Sequence, residues 1–80
     1  MLQLRPNCEC CNRDLAPDAP ARICSFECTF CVACSATMND ICPNCGGELA
    51  ARPRRPANKL AAWPASTERI YKPQGCLKNQ

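Results

Sequence analysis

A chain of 80 residues with ten cysteines, no histidine and a formal charge of +3 suffices for one small domain, but such chains bury too little surface to rely on an apolar core. Leu, Ile, Val and Phe together number 12 of 80, a proportion in the range where unaided folding becomes doubtful. The lack of histidine excludes histidine acid–base catalysis and open histidine-bearing zinc sites, and no apolar run is long enough to span a membrane.

Along the chain, Met1 to Pro6 lacks the basic start and apolar stretch of a signal peptide, so a cytoplasmic protein is expected. In a reducing cytosol, cysteines at short regular spacings are more often metal ligands than bridges; a disulfide scaffold is the alternative. Asp14 to Ala21 holds two prolines and two aspartates and reads as a loop. Arg22 to Phe30 alternates partly between apolar and polar residues, which predicts a small β-hairpin. Val32 to Asn39, rich in alanine and free of proline, predicts a short helix of about two turns. Cys42 to Gly47 is turn chemistry, with glycines free to take positive φ just after a cysteine pair. The sizeable apolar side chains available to a minimal core between Cys8 and Leu49 are Leu15, Ile23, Phe26, Phe30, Val32, Met38, Ile41 and Leu49.

Composition changes near residue 50. Residues 1–50 contain nine of the ten cysteines and a formal charge of −3, whereas residues 51–80 carry seven basic residues and one acid. The expected organisation is therefore a zinc-binding domain over 1–50 and a basic, proline-containing tail over 51–80. Prolines at 53, 56, 64 and 73 interrupt helix and sheet. The tail is expected to be mostly disordered, with a helical turn at Lys59 to Trp63.

Eight cysteines form four local pairs: Cys8 with Cys11, Cys24 with Cys28, Cys31 with Cys34, and Cys42 with Cys45. A tetrahedral zinc with bonds of about 2.3 Å to sulfur needs thiolates roughly 3.7 Å apart, which a two-residue spacer allows in a tight turn. Two pairs complete one site, so four pairs supply two closed structural sites with no position for water or substrate. Structural zinc contributes about 10–16 kcal/mol per site in small peptides, enough to replace the missing core. Eight thiolates and two Zn²⁺ would take the formal charge from +3 to −1.

The pairs are separated by 12, 2 and 7 residues. This series resembles the cross-brace of RING-type zinc domains, including Pro43 within the last pair and Phe30 directly before Cys31. The resemblance implies one zinc on Cys8, Cys11, Cys31 and Cys34, and the other on Cys24, Cys28, Cys42 and Cys45. Sequential pairing, as in two zinc-ribbon-like units, is the alternative. The chain is also similar to a family of short bacterial proteins classed as domain of unknown function 1272. That similarity is carried by Leu4 to Cys11, Ile23 to Cys31, Cys42 to Leu49 and Arg52 to Pro56. It implies a bacterial cytoplasmic protein and brings no activity.

Cys10 and Cys76 stand outside the pairs. Cys10 competes with Cys11 as ligand, with Cys11 preferred because the two-residue spacing recurs; the spare thiol is either inert or reactive beside a metal. Cys76 is expected to be exposed and oxidisable. The functional expectation is a monomeric, non-catalytic, zinc-binding interaction module whose partner is another protein, with Leu15, Phe26, Val32 and Trp63 as contact residues if exposed. Two alternatives stand beside it: nucleic-acid binding through Arg52, Arg54, Arg55, Lys59 and Trp63, and zinc-linked thiol redox sensing through Cys10.

Overall fold

The computed structural model describes residues 2–77. Its regular elements are short: β1 (Arg22–Ile23), β2 (Thr29–Phe30), α1 (Val32–Thr37), β3 (Ala50–Ala51), a 3-10 turn (Ala57–Lys59) and α2 (Pro73–Leu77). β1 and β2 are the expected hairpin, with Arg22 opposite Phe30 and Ile23 opposite Thr29. A third strand, which the sequence did not announce, pairs antiparallel with the free edge of β1, giving the order β2-β1-β3. Two alanines carry no strand signal of their own; β3 forms because β1 offers an open edge.

Three of the four cysteine pairs occupy the tips of hairpin-like ribbons. The β1–β2 hairpin encloses Cys24 and Cys28. Isolated bridges between Asn7 and Asp14, and between Ile41 and Glu48, enclose the first and last pairs. These two outer ribbons turn alike. Cys8 N–H donates to Arg13 O and Asn12 N–H to Cys8 O, as Cys42 N–H donates to Gly47 O and Gly46 N–H to Cys42 O. The residue just past each pair is left-handed, Asn12 at φ 63° and Gly46 at φ 76°, and Asn and Gly are the residues that tolerate this region.

The remaining pair is built on a helix. Cys31 is the N-cap of α1, its sulfur accepting from Cys34 N–H at 3.4 Å. The helix stops before the predicted Asn39, because Asn39 and Asp40 both turn left-handed. The buried Ser35 hydroxyl then donates to Asp40 Oδ1 at 2.6 Å and closes the end.

The core differs from the expected set. Leu15, Phe30, Met38 and Leu49 are buried, joined by Leu4, Ala21 and the sulfurs of Cys8, Cys24, Cys31, Cys42 and Cys76. Phe26, Val32 and Ile41 are 71%, 39% and 49% exposed: Phe26 sits at a knuckle tip, Val32 at the first helical position and Ile41 in the bridge with Glu48 at the base of the last ribbon. Ile23 is half-buried.

The tail also departs from expectation, and the division at residue 50 falls inside β3. Arg52 is buried, its guanidinium donating to Arg5 O and Ala16 O. Arg55 donates to Leu2 O, Trp63 O and Pro64 O. The expected helical turn is present, continuing the 3-10 turn through a Trp63 N–H to Lys59 O bond. Beyond it the chain runs back along Leu4 to Asp14: Ser66 N–H donates to Leu4 O, Asn7 Nδ2 to Ile70 O, and Lys72 N–H to Glu9 O. A segment poor in apolar residues is ordered here through polar backbone contacts and charge, which hydrophobic patterning does not register. Among the described residues, no helix is long and apolar enough to cross a membrane.

Candidate metal centres

The four knuckles converge into two sulfur clusters. Cys8, Cys11, Cys31 and Cys34 place all four sulfurs within 4.8 Å of one another, and the Cys11 and Cys31 sulfurs are 3.8 Å apart. That spacing is close to the edge of a zinc–thiolate tetrahedron, about 3.7 Å for 2.3 Å bonds. Cys24, Cys28 and Cys42 form the second cluster at the same tolerance. Cys45, in the same knuckle as Cys42, falls outside that tolerance but lies close enough to influence the Cys24 and Cys42 thiols. The first pair therefore shares a cluster with the third, and the second with the fourth. The thiols are thus grouped in the interleaved pattern and not the sequential one, with Cys11, not Cys10, in the first cluster.

The geometry arises locally. Three of the pairs receive backbone N–H groups at sulfur: Phe26 N–H to Cys24 at 3.3 Å, Cys34 N–H to Cys31 at 3.4 Å and Gly47 N–H to Cys45 at 3.4 Å. Such donors favour the thiolate, which is the metal-binding form. The substitutions tolerated after each pair follow from the same turns. Gly46→Ala is expected to cost about 1 kcal/mol in denaturant unfolding of the metal-loaded chain, from left-handed strain alone, since an added Cβ meets nothing within 4 Å. Gly46→Asn should cost less than half of that, because Asn12 already occupies the matching position.

Without a cation the clusters resist full ionisation. Burial pushes the Cys34 thiol well up, and the neighbouring Cys31, Cys8 and Cys11 sulfurs add to this. Cys42 is pushed up to about 12, chiefly by burial, with Cys45 and Cys24 reinforcing it against N–H donors from Cys45 and Asn44. Burial likewise raises Cys28, helped by Cys24 and the charge of Glu9. At Cys24 burial is outweighed by N–H donors from Phe26 and Cys28, and the thiol is pushed down. Several crowded thiolates require a compensating positive charge, which a bound divalent ion supplies.

Glu9, in the turn between Cys8 and Cys11, is 1% exposed. Its Oε2 accepts from Arg5 and from Thr29 N–H, both at 2.7 Å, and Oε1 accepts from Asn44 at 3.4 Å. The carboxylate thus ties the first knuckle to β2 and to the last knuckle. An Arg at i and a Glu at i+4 beside a cysteine pair carries no mark of burial.

Cys10 and Cys76 correct the expectation of a spare thiol and an exposed one. They form a disulfide with Cα atoms 5.7 Å apart across 66 residues of chain, and Cys76 is 1% exposed. The basic residues singled out for nucleic acid are largely engaged within the chain: Arg52 and Arg55 as above, and Lys59 lies 5.9 Å from the Trp63 ring centroid. Leu15 is buried, whereas Phe26, Val32 and Trp63 are exposed.

The fold and its sulfur clusters define a small cysteine-rich domain with two interleaved groups of thiols that could hold metal ions. Residues 1–55 match the family described as "Protein of unknown function (DUF1272)". A curated relative, an uncharacterized protein of Rhizobium meliloti (strain 1021), is 64% identical over 78 residues, covering 95% of this chain and 93% of the relative. The chain belongs to this family of unknown function. No solved structure matches it.

Proposed function

We propose that the protein is a zinc-braced interaction module. Cys8, Cys11, Cys31 and Cys34 would hold one Zn²⁺, and Cys24, Cys28, Cys42 and Cys45 a second, in a RING-like cross-brace. The observation that carries this reading is the interleaved convergence of the four pairs. All-thiolate donor sets favour soft or borderline ions, and tetrahedral sulfur sites of this kind suit zinc. Four protein ligands leave no open position, so the ions would be structural and we assign no catalytic role. Native mass spectrometry of the full chain should give a mass gain of two zinc ions less the four protons whose charge they replace; a chain that binds none, or only one, sinks the reading.

The partner in this reading is another protein in the bacterial cytoplasm, met by a monomer. Phe26, Val32 and Trp63 are large apolar groups left exposed by a chain with few of them. The engagement of Arg52 and Arg55 within the chain favours this over nucleic acid. Phe26→Asp and Val32→Asp should leave zinc content intact and stability within about 0.5 kcal/mol, because neither side chain is buried. The same variants should remove a defined protein crosslink formed by the wild-type chain in cells. Persistence of every crosslink in both variants would place the contact elsewhere.

A further inference from the structure

We infer that Cys10–Cys76 is a reversible thiol–disulfide exchange site that straps residues 66–77 over the first cysteine knuckle, with a low-molecular-weight thiol as its co-reactant. The eight other cysteines are free thiols gathered at the two clusters, which leaves this pair as the disulfide among the described residues. Its two ends differ in access. Cys10 is partly exposed at the knuckle tip, while Cys76 is 1% exposed in the core.

The strap runs over one stretch of chain. Ser66 N–H bonds Leu4 O, Arg69 pairs with Asp14 at 2.7 Å and donates to Asn12 O at 2.9 Å, Ile70 O accepts from Asn7, and Lys72 N–H bonds Glu9 O at 2.7 Å. Every one of these contacts lies within residues 4–14, around the knuckle that carries Cys8 and Cys11. They are polar, and Tyr71 and Lys72 are exposed. Among the strap residues whose burial is described, Cys76 is the buried apolar one, so the covalent link adds the strap's apolar anchor to contacts that are otherwise polar and easily opened.

The chemistry follows from the access difference. A thiolate RS⁻ attacks the accessible Cys10 sulfur, forming a Cys10–S–S–R mixed disulfide and releasing Cys76 as a thiolate that takes up a proton. A second RS⁻ attacks the R sulfur, giving RSSR and returning Cys10 as a thiolate that is protonated in turn. Two electrons pass from two thiols to the protein disulfide, and RSSR reverses the sequence. Reduction frees the strap and uncovers residues 7–12. The metal clusters need take no part, because neither sulfur of the link belongs to them.

The test uses the full chain equilibrated in glutathione buffers of graded composition. In oxidising buffer, peptide mapping should find Cys10 linked to Cys76, and trypsin should cut slowly after Arg69. In reducing buffer, two thiols should become alkylatable, at Cys10 and Cys76, with cleavage after Arg69 accelerated about tenfold as the strap opens. Reoxidation should restore both states. Cys76→Ser should show the fast cleavage in every buffer. Absence of the linked peptide at all glutathione ratios would overturn the proposal, as would equal cleavage of the oxidised and reduced chains or slow cleavage of Cys76→Ser. Zinc content, read in parallel by native mass spectrometry, separates the two readings: a reversible link in a chain without zinc sinks the metal centres and leaves this site standing.

Discussion

Cys31→Ser is expected to lose one zinc ion together with the cooperative melting transition, whereas Cys10→Ser keeps both ions. Cys31 is in the first sulfur cluster, caps α1 and is buried in the core. Its loss therefore removes a thiol of the proposed metal site, a helix start and a packed side chain at once. Structural zinc is worth about 10–16 kcal/mol per site in small peptides, while domains of this size hold only about 5 kcal/mol in all. Loss of one site exceeds the whole stability, and serine is a poor substitute because its hydroxyl does not ionise near neutral pH. A strong chelator at constant pH, with the disulfide intact, should do the same to the wild-type chain. The check is circular dichroism melting beside native mass spectrometry. A chelated, metal-free chain that still melts cooperatively at an unchanged temperature would show that the ions do not hold the fold.

Glu9→Ala is expected to cost about 3 kcal/mol, measured by urea unfolding at saturating zinc, as the loss of one member of a buried hydrogen-bonded pair usually does. The carboxylate receives Arg5 and the Thr29 N–H, and Thr29 is completely buried. Removal of the acceptor leaves that N–H without a partner in the dry interior. Arg5, 15% exposed on its side chain, can turn to water, which keeps the cost below that of a fully buried ion pair. Glu9→Gln retains an acceptor for Thr29 and should cost less than half as much. If Glu9→Ala unfolds at the wild-type midpoint, the carboxylate is not a structural tie.

Much of the site was legible because cysteine spacing acts over two or three residues, where local turn geometry decides the outcome. The hairpin at Arg22 to Phe30, the helix after Cys31, the left-handed glycine after Cys45 and the preference for Cys11 over Cys10 all follow from that short range. Other features depend on what lies across the fold. Phe26 and Val32 have the composition of core residues, yet a knuckle tip and a first helical position point them outward. Arg52 looks like a solvated tail charge, but the carbonyls of Arg5 and Ala16 receive it.

By itself, the amino-acid sequence determined that this chain lacks an adequate apolar core and that four cysteine pairs stand where metal could replace it, since composition and turn spacing are local properties. Only the tertiary structure decided which pairs share a cluster, that Glu9 is an interior tie, and that Cys76 returns 66 residues later to Cys10. Those are long-range choices, made by backbone hydrogen bonds and chain closure between segments whose residues carry no mutual mark in one dimension.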